Sequence, residues 1–137
     1  MKTVDALLRS EADGTLSFGD FSRAEKAKLS DFVHAGDTYK VKTCGEITKL
    51  EKNETFVYES VPGSSVFNFK DTAAEISFAV SAQGSVQITL ELEAEKDYEV
   101  LVDGMNLGRM ATNLGGKLVL SVDARPDSET SVKIIKD

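Results

Sequence analysis

Apolar positions recur with two different periods along the chain. Near the start, Val4, Leu7 and Leu8 follow Thr3, a residue that caps helices well, and Asp13-Gly14 ends the run. That spacing predicts one short amphipathic helix over 4–11. From Gly14 onward the period drops to two. Ile76, Phe78 and Val80 alternate with Glu75, Ser77 and Ala79, and Val86, Ile88, Leu90 and Leu92 alternate with Gln87, Thr89, Glu91 and Glu93. Tyr98, Val100 and Val102 continue the pattern, then Leu118, Leu120 and Val122, and finally Val132 and Ile134. Such alternation makes strands with one wet and one buried face. Less regular stretches at 15–18, 27–33, 39–43, 47–52, 55–60 and 66–70 supply further strands. About ten short strands separated by turn residues predict an all-β fold, an antiparallel β-sandwich of jelly-roll or immunoglobulin-like type. A single domain over 1–137 is expected, because no repeat, low-complexity tract or linker interrupts the pattern.

Turn chemistry suggests registers. Gly84 suits a three-residue loop, Ala82-Gln83-Gly84, that sets Val80 against Val86, Phe78 against Ile88 and Ile76 against Leu90. Asp103-Gly104 is a preferred two-residue hairpin turn that sets Val102 against Met105 and Val100 against Leu107. With Asn113-Leu114-Gly115-Gly116 leading into Leu118, these turns predict a meander over about 74–122. The Leu92–Tyr98 connection resists that scheme. A hairpin there would put Glu93 opposite Glu99, a destabilising like-charge pair. Either a cation sits between them or the two strands belong to different sheets. The second solution, a sandwich crossover, is preferred.

Composition narrows the function classes. Sixteen Lys and Arg stand against 23 Asp and Glu, a net charge of −7. An acidic surface repels phosphate backbones and anionic lipid, so neither nucleic acid nor membrane is an expected partner. No run approaches the ~20 apolar residues of a membrane span, and no secretory signal is visible, which places the protein in the cytoplasm as an expectation. One Cys and one His exclude an internal disulfide and every two-histidine scheme.

Candidate chemistry is sparse. Ser64 and Ser65 follow Gly63 with no nucleophile elbow around them, so they read as turn serines. A Cys44–His34 pair is a remote nucleophile candidate, and Cys44 reads first as a turn cysteine. The densest acidic cluster holds Glu91, Glu93, Glu95, Asp97 and Glu99. Of these, Glu91, Glu93 and Glu99 form a weak candidate for a hard cation, although the twelve-residue calcium-loop pattern is missing. Phosphate loops are lacking, since Gly115-Gly116-Lys117 sits between strands. No cofactor is expected.

One surface stands out. If Cys44-Gly45 makes a two-residue turn, Tyr39 faces Leu50 and Val41 faces Thr48 on the inner side, turning Lys40, Lys42, Ile47 and Lys49 outward. Carried across Asn53-Glu54, the same register sets Leu50 against Val57 and turns Phe56 and Tyr58 outward too. The predicted result is an apolar-basic patch on an acidic protein, which suits an interaction site unless another strand or the N-terminal helix covers it.

Thr55-Phe56-Val57-Tyr58-Glu59-Ser60-Val61-Pro62-Gly63, with Tyr39-Lys40-Val41-Lys42-Thr43 and the opening Glu11-Ala12-Asp13-Gly14-Thr15, resembles a family of small clostridial proteins over most of the chain. Some members of that family are labelled endosialidase, which implies action on a glycan. No motif of the long, trimeric phage endosialidases matches, so the resemblance transfers no catalytic residue. Tyr98–Gly104, Leu107-Gly108, Thr112-Asn113 and Gly116 before Leu118–Val122 resemble the terminal β-sandwich modules of polysaccharide-degrading enzymes, which implies the fold more than an activity.

The leading expectation is therefore a non-enzymatic binding module that forms a homo-oligomer through the 39–58 face. The alternative is a carbohydrate-active role, as an accessory glycan-binding domain or a small hydrolase. Zero Trp and three Tyr weigh against a sugar platform.

Overall fold

The structure is a computed structural model that describes residues 1–136. Its strands are β1 (Leu8–Ser10), β2 (Leu16–Phe18), β3 (Ala27–His34), β4 (Asp37–Thr43), β5 (Thr48–Lys52), β6 (Thr55–Val61) and β7 (Ser65–Asp71). They continue with β8 (Glu75–Ser81), β9 (Val86–Glu91), β10 (Asp97–Val102), β11 (Met105–Ala111), β12 (Lys117–Val122) and β13 (Thr130–Ile135). All pairings are antiparallel. One sheet runs β1-β2-β7-β8-β13-β10-β11 and the other β12-β9-β6-β5-β4-β3. They pack face to face as a β-sandwich, because the apolar parity of each strand needs a second layer to exclude water.

The core is what the alternation demands. Ile76, Phe78, Val80, Val132 and Ile134 project inward from the first sheet, and Val41, Leu50, Ile88, Leu90, Leu118 and Leu120 from the second, all buried. Tyr58 of the second sheet wedges between two rings of the first, edge-on to Phe18 at 5.3 Å and to Phe78 at 5.7 Å. Phe69 stacks on Phe78 at 5.7 Å. Edge-to-face contacts of this kind add attraction beyond their buried area.

The N-terminal helix expected over 4–11 is not formed. Leu7 is left-handed (φ 71°), its carbonyl accepts from the Gly19 amide at 3.0 Å, and the Val4 amide donates to the Gly19 carbonyl at 3.1 Å. Leu8 then pairs with Phe18 in the sheet. A helix of two turns is marginal on its own, whereas this route buries both Val4 and Leu8 and pairs the backbone.

The expected meander is also redrawn. Strands β8 and β9 lie in different sheets, so the Ala82–Gly84 loop is a crossover rather than a hairpin. Val80, Phe78 and Ile76 pair with Thr130, Val132 and Ile134, while Val86, Ile88 and Leu90 pair with Val122, Leu120 and Leu118. The inward parity survives, because two strands can face one core from opposite layers as well as from the same one. The Leu92–Tyr98 connection is the preferred crossover, with β9 and β10 in opposite sheets. Asp103-Gly104 makes its hairpin with Val102 opposite Met105. A bulge after Val100 then puts Gly108, not Leu107, across from Val100.

Candidate functional site

The 39–58 segment forms three adjacent strands of the six-stranded sheet. Between β4 and β5 the chain uses four residues rather than two, with the Cys44 amide donating to the Ile47 carbonyl at 2.8 Å. Thr43 therefore opposes Thr48, Val41 opposes Leu50 and Tyr39 opposes Lys52. The register moves by two residues, so parity is kept: Val41 and Leu50 point in, and Lys40, Lys42 and Lys49 point out. Ile47 is half-buried in the turn.

Parity fails one strand later. After the Asn53-Glu54 turn, Thr55 opposes Lys52 and Phe56 opposes Glu51, but a bulge between Leu50 and Glu51 then sets Tyr58 against Leu50. Val57 is the extra residue, and Tyr58 rotates into the core instead of onto the expected patch. Its hydroxyl and the Ser64 hydroxyl are 2.8 Å apart, and Ser64 and Ser60 hydroxyls are 2.6 Å apart. Phe56 does face outward, but it is half-buried beneath the Lys117 ammonium, 4.7 Å from the ring centroid. The patch is consequently basic rather than apolar.

Its basic character has a definite geometry. Lys28 of β3 opposes Lys42 of β4, which opposes Lys49 of β5, which opposes Glu59 of β6. Directly opposed side chains start ~5 Å apart, so three like charges cross the sheet in one row. None of these three lysines has an ion-pair partner among the described residues. Lys40 opposes Glu51 in the next row and lines an open surface groove with Ser30, Asp31 and Thr38.

The carboxylates named as a weak cation candidate are not brought together. Glu91 faces outward from the six-stranded sheet and binds the Lys117 ammonium at 2.6 Å. Glu93 pairs with Lys96, and that hydrogen bond and charge hold its carboxyl below the usual range. Glu99 lies on the seven-stranded sheet, so Glu91 and Glu99 point from opposite faces of the sandwich. Among the described residues no group of three His, Cys, Asp or Glu side chains is placed to hold a metal ion.

The nucleophile candidates separate in the same way. Ser64 is fully buried: its amide donates to Thr48 Oγ1 at 3.0 Å and its carbonyl accepts from the same hydroxyl at 2.7 Å. It is thus a buried hub of the β6–β7 loop, a turn serine whose hydroxyl and backbone both bond within the core. Cys44 is buried beside the Gly63 backbone, where an added Cβ would lie 1.9 Å from the Cys44 carbonyl. His34 is engaged elsewhere, with Nδ1 accepting from Ser10 Oγ at 2.7 Å and Nε2 donating to the Gly14 carbonyl at 3.0 Å. Sequence reading missed the Ser10–His34 contact, and 24 residues of separation leave no local pattern that signals it. No protein-family model, curated protein or solved structure matches the chain.

Proposed function

We propose that this protein is a non-enzymatic binding module whose contact surface is the outer face of the six-stranded sheet, and that it self-associates through that face. The observation that carries the reading is the unpaired row Lys28–Lys42–Lys49. Opposed like charges destabilise a sheet, and an acidic surface laid across them removes that cost. The chain has a net charge of −7, so the surface away from the row is strongly acidic and a second copy carries the complementary charge. Two copies meeting row to row would repel; the contact is heterologous, row against an acidic surface, and such contacts form rings or open chains. The connections β6–β7, β8–β9, β9–β10, β11–β12 and β12–β13 all cross between layers, which supports a jelly-roll in preference to an immunoglobulin-like sandwich.

Light scattering tests the assembly. At low ionic strength the wild type should exceed its 14.8 kDa monomer mass, and about 1 M salt should dissociate it as the screening length falls to ~3 Å. The double variant Lys42→Glu, Lys49→Glu should be folded and monomeric in both conditions. A wild type that is monomeric at low salt, or a variant with the wild-type mass, sinks the reading.

A further inference from the structure

A cleft of 310 Å³ opens between the two sheets, at the end where the β1–β2, β3–β4, β5–β6 and β7–β8 turns meet. It is at the small end of ligand pockets, which run ~300–1,000 Å³. Leu16 and Phe69 from the seven-stranded sheet and Val57 from the other make an apolar floor. Tyr39 forms one wall, and the His34 ring stands edge-on to it at 6.0 Å. The two hydrogen bonds of His34, to Ser10 and Gly14, tie β3 to the first hairpin and hold that wall in place.

The charges around the mouth cancel. Asp37 accepts from Asn53 Nδ2 at 2.9 Å and lies 3.5 Å from the Lys52 ammonium. Asp71, on the opposite sheet, is 2.5 Å from the Lys136 ammonium. Lys70 lines the same cleft. The Tyr39 hydroxyl makes no hydrogen bond among the described residues. Burial pushes that phenol up, Lys52 opposes the rise and the Asp37 and Asp71 charges add to it; all three charged groups line the cleft with Tyr39.

We propose that this cleft binds one neutral, hydroxyl-rich ring, a single pyranose unit. The C–H face of such a ring lies against Tyr39 and the apolar floor. Its hydroxyls donate to Asp37 and Asp71 and accept from Lys52 and the Tyr39 hydroxyl, satisfying groups that an apolar ligand would strand. An anion would face two carboxylates and a cation two ammonium groups. The Asn53 hydrogen bond holds Asp37 in its ionised form, ready to accept from a ring hydroxyl.

The test is an amide-resolved NMR titration of the whole ¹⁵N-labelled chain with the methyl glycosides of glucose, galactose and mannose, and with glucuronate as the charged comparison. At least one neutral glycoside should give saturable shifts at Gly14, Tyr39, Lys52 and Thr72, with affinity on the order of 1 mM. Tyr39→Phe keeps the ring and removes the hydroxyl, and should weaken binding roughly five-fold, the loss of one hydrogen bond. The Lys42→Glu, Lys49→Glu variant should bind the glycoside unchanged, which separates this site from the assembly face. Three results would overturn the proposal: no saturable shift in the cleft with any neutral glycoside at about 100 mM, tighter binding of glucuronate, or full affinity in Tyr39→Phe.

Discussion

Replacing Tyr58 with Phe isolates the consequence of the β5–β6 bulge. The substitution keeps the ring contacts with Phe18 and Phe78 and deletes only the hydroxyl that meets Ser64. Ser64 retains Ser60 as a partner, so the loss is one buried hydrogen bond, about 1–1.5 kcal/mol. For a chain of this size each kcal/mol moves Tm by ~3–5 °C, giving a fall of roughly 3–7 °C near neutral pH. Alkaline pH supplies a second readout. Burial pushes the Tyr58 phenol far above its ordinary value of 10.0, with the Ser64 and Ser60 hydrogen bonds opposing. Above about pH 10 the unfolded chain therefore releases a proton that the native chain keeps. Unfolding is favoured as pH rises, by ~1.4 kcal/mol per pH unit for this one group, and stability is unaffected by it below pH 10. The Phe variant lacks that slope, so wild type and variant should converge and then cross in urea midpoints between about pH 10 and pH 12. The other tyrosines are common to both and cancel. Equal stability at neutral pH together with parallel alkaline slopes would refute the inward position of Tyr58.

Two further outcomes are expected. Gly63→Ala should lower stability by more than ~2 kcal/mol in chemical unfolding, since its Cβ would lie 1.9 Å from the Cys44 carbonyl and backbone must move; a variant within ~0.5 kcal/mol of wild type contradicts that contact. In acid, Glu11 (held down first by its Arg9 hydrogen bond), Asp13 (by Thr15) and Asp37 (by Asn53) all sit below their ordinary values. They contribute stability that is present above about pH 4.5 and lost as pH falls through their lowered values. Thermal melts across that range should show Tm dropping, and a flat profile would count against these pairs.

Inward and outward parity was readable from residues alone, and strand partners were not. Ile76, Phe78 and Val80 alternate identically whether they face Val86, Ile88 and Leu90 across a hairpin or across the core, because period two reports a face and carries no sheet identity. Like-charge logic did resolve one connection, at Glu93 and Glu99, because a hairpin there had a visible electrostatic cost. The Tyr58 error has a local cause: a bulge inserts one residue, Val57, and nothing in Thr55-Phe56-Val57-Tyr58 marks the spot. Lys42 and Lys49 were correctly placed outside, whereas Lys28 joined their row only through the β3–β4 pairing. The cleft was not foreshadowed: Lys52 lines it from a strand end that no motif in the chain marks. Its partners Asp37 and Asp71 come from opposite sheets, which no spacing in the chain reveals.

The place of β13 bears on how the molecule is made. This strand follows the other twelve in the chain, yet it lies between β8 and β10 and supplies one hydrogen-bonded neighbour to each. Until residues 130–135 arrive, the seven-stranded sheet exists only as two separate pieces, β1-β2-β7-β8 and the β10–β11 hairpin, each with an open inner edge. Loop closure over such distances is slow and must precede the contacts that reward it. The nascent chain therefore exposes unpaired edges and half a core until residues 130–135 have been made, and during that interval it is most open to mispairing with a neighbouring chain.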